Sequence, residues 1–518
     1  MVEARTVKLD FVKSTKRNVS AVAFNRVLNM AFPFLNRTLF LWLLGPEYLG
    51  LNGLFRSVLG VLSLAELGFG MAIDCSMYKA VAEDDHPLIC AYMKFYRAVY
   101  RCVGSAIFGI GLCILPFLGK LVHGDVPPDV DLHVLFLIHL ANTSLGYFLF
   151  AYRRSILGVY NRKDVLANIA TSVSTAQYVA VFLVLLLTRN YYYYVATTVA
   201  FTALGNLLIY WQSRRLFPNV VPDGRLPKEH RRRVVSDVKS IFMHKVGSAV
   251  SFTFDNVVVS AFLGLVAVAA YGNYYYVYTA VAGLVGVLGY SMMSGFGNKI
   301  HTESRDDNFR LFMKANRLVT IIVAWCAAMM TALYQPFIEV WTKGDPKLAR
   351  HFLTPALMVA FFYISQSRLV LQTFKSAAAI WKEDRWKPIV SAAANLAMNL
   401  SFVIFLPDDY KLDGVILSTI LAFVFIEIPW ESHVLFTVFF DKAQSRQYWK
   451  SQAVFLASVL VLCAIAWCAA DLVALGGFVG LLVKGAAAAF ASGCAALIMF
   501  RHDVGAVLDV LRKGRRGV

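Results

Sequence analysis

Apolar residues gather into about fourteen stretches of roughly 17 to 29 residues, a length that lets a helix of ~20 residues cross the bilayer hydrocarbon. They begin near residues 20, 49, 91, 132, 164, 191, 240, 266, 316, 351, 388, 413, 453 and 476. Each predicts a transmembrane helix. The stretch over 414–440 also contains Glu427, Pro429 and Glu431, which predicts one kinked helix whose inner end lies along the interface.

Polar positions within these stretches recur. Asn25, Arg26, Asn29, Asn36 and Arg37 in the first stretch are matched by His244, Lys245, Ser248, Asp255 and Asn256 in the seventh, and both copies end in Leu-Gly, at Leu44-Gly45 and Leu263-Gly264. At about 100° per residue the five positions fall within about 120° of a helix surface, so each helix carries a polar stripe that does not face lipid. The next helix repeats as well: Gly60-Val61-Leu62 precedes Phe69-Gly70 as Gly286-Val287-Leu288 precedes Phe296-Gly297. The chain is therefore read as an all-α polytopic membrane protein with an internal duplication. Residues 20–213 and 240–440 form two parallel six-helix lobes, followed by two C-terminal helices in 441–499. An even number of helices gives both lobes the same orientation, about a pseudo-two-fold axis along the membrane normal, with a cavity expected between them.

Composition agrees. Hydrophobic residues make up 58% and aromatics 14% of 518 residues, more than a soluble domain carries. The net charge of +18 is mostly topology, because Lys and Arg crowd alternate short loops while the others hold only Lys120, Arg189, Lys343, Lys347, Arg350 and Lys411. Both termini are thus placed in the cytoplasm of a plasma-membrane protein, as residues 1–19 and the basic tail 500–518, and 214–239 is read as a solvated basic linker. Basic residues spread over short loops form no compact nucleic-acid-binding domain. The charged start, Glu3, Arg5, Lys8 and Asp10, is unlike a cleaved signal peptide, and the eight cysteines show neither disulfide nor zinc spacing. No Gly-rich phosphate-binding loop exists, and the outer loops are short for a membrane glycosyltransferase, so neither an enzyme nor a cofactor is expected.

The chemistry is sought in polar groups at membrane depth, where a charge is costly and usually functional. Arg26 and Arg37 either line a cavity with Asn25, Asn29 and Asn36 or snorkel to the two interfaces. Asn52, Arg56, Ser63 and Glu66 share one face of the second helix, Arg56 as a cavity cation or an interfacial one. Lys245 and Ser248 belong to the cavity set, as does Arg368, whose i, i+3, i+7 partners Ser365 and Gln372 suit an interfacial anchor or a phosphate-binding vestibule. A carboxyl at the depth of Asp255 or Glu66 can carry a coupling proton or hold sodium, or else form a fixed salt bridge with Arg37 or Arg56. The tyrosines at 191–194 and 274–278 are read first as interfacial belts and second as sugar platforms.

The segment 43–73, LLGPEYLGLNGLFRSVLGVLSLAELGFGMAI, resembles the first hairpin of polysaccharide-transport proteins, the Wzx-type oligosaccharide flippases of the multidrug/oligosaccharidyl-lipid/polysaccharide (MOP) exporter superfamily. That resemblance implies movement of lipid-linked oligosaccharide repeat units from inner to outer leaflet for capsular or surface polysaccharide. Its partners are then the lipid-linked substrate, membrane lipids, and a polymerase and glycosyltransferases of the same route. The surplus of Arg26, Arg37, Arg56 and Lys245 over Glu66 and Asp255 suits an anionic head group such as a polyprenyl diphosphate. A proton- or sodium-coupled small-molecule antiporter is the alternative.

Overall fold

The computed structural model describes residues 31–63, 69–124, 126–160, 162–380 and 383–501, those at 239–253 by backbone alone. After α1 (31–43) come α2 (Pro46–Leu62), α3 (Phe69–Ala82), α4 (His86–Ile114), α5 (Leu132–Phe148), α6 (Arg153–Val159), α7 (Lys163–Thr188) and α8 (Tyr191–Leu216). There follow α9 (Lys228–Leu263), α10 (Leu265–Thr302), α11 (Arg305–Trp341), α12 (Leu353–Ser367), α13 (Leu369–Ala377), α14 (Lys387–Phe405), α15 (Lys411–Ala422), α16 (Ile428–Val438), α17 (Lys442–Asp471) and α18 (Gly477–Met499). Short polar residues start many of these helices by accepting from orphan amides. Asp85 accepts from Leu88 N at 3.0 Å, Asp131 from His133 N at 2.8 Å, and Asn190 from Tyr192 N at 2.9 Å. Asp441 and Gln444 close a capping box at the start of α17.

The duplicated Leu-Gly marks the end of each copy for a conformational reason. Gly45 has φ +112° and Gly264 has φ +89°, backbone that L side chains rarely adopt. At Gly264 the chain turns from α9 directly into α10, and a Cβ there would lie 2.7 Å from the carbonyl oxygen of His123.

Among the described residues ten helices are long and apolar enough to cross a membrane, or eleven when α5 and α6 are taken as one span bent by 51°. The fourteen expected stretches are all helical where described, but α2 has 17 residues and only Phe254–Leu263 of the apolar stretch in α9 is described with side chains, so the described residues establish fewer spans than fourteen.

The described residues fall into two compact units. The first comprises residues 31–48, 69–116 and 127–238; the second comprises 49–63, 117–124, 126 and 239–501. The boundary differs from the sequence division at α2, which joins the second unit from Leu49 onward: Asn256 Nδ2 on α9 donates to Ser57 Oγ on α2 at 2.9 Å. Within the first unit the basic linker is not simply solvated. Its end, from Lys228, is already the first turns of α9, and Val220 and Val234 are buried. Arg153, at the start of α6, is 2% exposed, with Nη1 donating to the carbonyl of Val220 at 2.9 Å. Only a buried, hydrogen-bonded guanidinium escapes the cost of desolvation at such a place.

The second unit has an aromatic core beside its polar sites. Phe374 and Phe440 have ring centroids 5.1 Å apart, Phe312 and Phe440 5.5 Å, and Phe436 and Tyr448 5.4 Å. Lipid offers no hydrophobic drive between helices, so close packing of this kind carries much of the association. Three of the eight tyrosines expected as belts, Tyr191, Tyr274 and Tyr278, are core residues too. Tyr191 is 1% and Tyr274 0% exposed, because each tip has a partner inside: Tyr191 faces His139 Nε2 at 3.4 Å, and Tyr274 donates to Gln335 Oε1 at 3.1 Å. Tyr193, at 60% exposure, retains the belt character.

Candidate functional site

Asp255 sits in α9 two and a half turns before the chain reverses at Gly264, and it is completely buried. The reversal brings α10 back alongside, so that Tyr271 OH donates to Asp255 Oδ2 at 3.1 Å. On the other side α14 presents Asn395 and Asn399, i and i+4 on one helix face, both buried. Asn399 Nδ2 donates to Asp255 Oδ1 at 2.6 Å and to Asn395 Oδ1 at 3.2 Å. From α15, Thr419 Oγ1 donates to Asp255 Oδ2 at 3.3 Å, while Ser418 Oγ donates to Asn399 Oδ1. Asn395 Nδ2 closes the set on Thr419 Oγ1 at 3.0 Å.

The arrangement is a polar cage around one carboxyl group: the Asn399 amide nitrogen and the Tyr271 and Thr419 hydroxyls contact Asp255, and Asn395 and Ser418 bond to those contacting groups. Its hydrogen-bond partners are neutral, and among the described side chains of this unit no arginine pairs with it. A lone carboxyl in such surroundings can take up a proton or hold a small cation with oxygen ligands. Sequence reading found Asp255 but missed its cage. The signal was there in part: Asn395 and Asn399 form an i, i+4 amide pair in an otherwise apolar helix.

A second polar cluster lies on α12–α16 of the same unit. Arg368 Nη1 donates to Glu427 Oε2 at 2.6 Å, and its Nε lies 3.6 Å from Glu431 Oε2. Lys387 pairs with Glu431 and lies 3.3 Å from Glu427, and Lys375 pairs with Asp384. Three cations thus meet three carboxylates. Glu427 and Glu431 share a face because they stand four residues apart along the helix, just after a π-turn at Phe423–Glu427. Glu431, at the helix end expected to lie along the interface, is 1% exposed and packed within the protein. Arg368, expected to face an anionic substrate or the interface, is buried with its charge taken by two glutamates. Interior pairing wins because an unpaired buried charge is so costly.

The remaining stripe residues are placed as follows. Asn36 is buried on α1 and its Nδ2 donates to Tyr178 O on α7 at 3.4 Å. Arg37 and Asn52 are half-buried and Arg56 is exposed. Asn25, Arg26, Asn29 and Glu66 lie outside the described residues, as do the side chains of Lys245 and Ser248. The duplication is visible in one pairing: the matched positions Asn36 and Asp255 each bond to the fifth helix of their own repeat, α7 and α14.

This helical membrane architecture, with a buried carboxyl cage, defines the class as a multi-pass transporter-fold protein. Residues 15–292 match the family described as polysaccharide biosynthesis protein; that is more than half of the 518 residues, and the chain belongs to this family. No curated protein sequence matches it. Among solved structures it is similar to the lipid II flippase MurJ in an inward closed conformation, at 14% identity, TM-score 0.64, over 94% of this chain and 99% of that one. It is also similar to an inward-facing multidrug resistance MATE family transporter of the MOP superfamily, at 13% identity, TM-score 0.58, over 78% of this chain and 94% of the other. A mutant of the Vibrio cholerae MATE transporter VcmN aligns at 12% identity and TM-score 0.51, over 84% and 95% of the two chains. The fold is similar to that of these MurJ and MATE structures.

Proposed function

We propose that this protein is a flippase, not an enzyme, that moves polyprenyl-diphosphate-linked oligosaccharide repeat units from the inner to the outer leaflet of the plasma membrane for capsular or surface polysaccharide. Both termini are placed in the cytoplasm. The observation that carries the reading is the family match, because residues 15–292 include both copies of the polar stripe, with Arg26, Arg37, Arg56 and Lys245. Cations at membrane depth are retained where an anionic ligand needs them. In this mechanism they hold the diphosphate and the amides of Asn25, Asn29, Asn36 and Asn52 meet sugar hydroxyls, with Ser248 beside them, while the polyprenyl tail stays in lipid. Access alternates between the two sides, and a proton or sodium ion at Asp255 drives the cycle, with Glu66 as a second candidate.

The test is reconstitution in liposomes with a fluorescent polyprenyl-diphosphate oligosaccharide and measurement of its movement between leaflets, with Arg37→Ala alongside. Transfer by wild type and at least about tenfold slower transfer by the variant supports the reading, that being the scale of one lost charge-assisted contact. No transfer by wild type overturns it. The caged Asp255 favours one second reading, an ion-coupled small-molecule antiporter. Cation-driven efflux of a small amphiphile, without lipid transfer, would establish that instead.

A further inference from the structure

Cations are scarce on the outer loops: Lys120, Arg189, Lys343, Lys347, Arg350 and Lys411 are all the sequence leaves there. Lys347, Arg350 and Lys411 nevertheless line a single cleft of the second unit, about 480 Å3 in volume. His123 joins them, because the segment that carries it is stitched to the end of α9: Ser260 Oγ donates to Leu121 O at 2.6 Å, and His123 N donates to Ser260 O at 3.0 Å.

The cleft keeps more cations than carboxylates in its lining. Its one lining carboxylate, Asp408, is paired with Lys411 at 2.6 Å. The exposed ammonium of Lys347 has no ion pair among the described residues. Arg350 Nη2 donates to Asp409 O at 2.6 Å, yet its Nε is buried without a hydrogen-bond partner, an uncommon state for a guanidinium donor. Alongside the cations the wall is apolar, and Phe262, 41% exposed, is part of it. Cationic donors next to an open apolar wall suit an amphiphile with a phosphate head.

We propose that this cleft is an outer-face binding site for the diphosphate of the polyprenyl carrier, occupied once the substrate has crossed; the inference rests on the flippase reading above. Lys347 and Arg350 bind the phosphate oxygens, Lys411 adds its charge from the other side, and the first isoprene units lie along Phe262.

The experiment uses the full-length protein in nanodiscs of zwitterionic lipid, titrated with inorganic pyrophosphate and followed by calorimetry. The double variant Lys347→Gln with Lys411→Gln is expected to weaken binding at least about tenfold, while Lys120→Gln with Arg189→Gln leaves it unchanged. If the double variant does not fold, the exposed Lys347→Glu alone carries the same expectation. No binding by wild type, equal weakening by both pairs, or equally tight binding of glucuronate overturns the site; the last result would assign the cleft to an acidic sugar. Leaflet transfer is measured on the same preparation. Transfer without pyrophosphate binding rejects the cleft and leaves the flippase reading standing, whereas absence of transfer rejects that reading itself.

Discussion

Asn399 Nδ2 lies 2.6 Å from Asp255 Oδ1, a buried amide donating to a buried carboxyl from a helix more than a hundred residues away in the chain. The bond matters because Asp255 has hydrogen bonds from Asn399, Tyr271 and Thr419 and no ion pair among the described side chains. Its charge state is then open to an ion that enters the cage, which is how a gradient could act on this fold.

Two variants separate the roles in that pair. Asp255→Asn keeps the shape and removes the titratable group, so leaflet transfer is expected to lose its response to an imposed proton or sodium gradient. A response equal to wild type would reject coupling at Asp255. Asn399→Ala strips the carboxyl of its shortest donor and is expected to lower stability by about 1–3 kcal/mol, read as thermal unfolding in detergent.

The six-membered ion network makes a different prediction. Glu431→Gln leaves Arg368 and Lys387 with too little negative charge in a buried site, and a broken buried pair costs about 3–5 kcal/mol. The exposed pair of Lys79 and Glu83, 3.7 Å apart, gives the contrast, since Glu83→Gln should cost no more than about 1 kcal/mol. Comparable unfolding temperatures for the two variants would show that the network is not held by charge.

Arg153 makes the linker testable. With its guanidinium removed, Val220 O loses a buried donor and the segment around it is freed, so Arg153→Ala is expected to speed trypsin cleavage at the exposed Arg214, Arg215 and Arg225. The loss is on the order of 1.5–3 kcal/mol for a hydrogen bond from a charged group. An unchanged digestion pattern would mean that the linker is held by its buried valines alone.

Much of this protein was legible in its residues. Apolar run length predicts helices because a span must satisfy its backbone internally. The duplicated stripe marked Asn36 and Asp255 as inward-facing, since helical period alone sets which positions share a face. The paired glycines at 45 and 264 announced breaks that the left-handed backbone there confirms. Partners were another matter. Asp255 is caged by α10, α14 and α15, and Arg368 is neutralised by Glu427 and Glu431 across a π-turn, because a buried polar group bonds with whatever packing brings within about 3 Å. Periodicity says which face of a helix is polar; only the packed helices decide what that face meets.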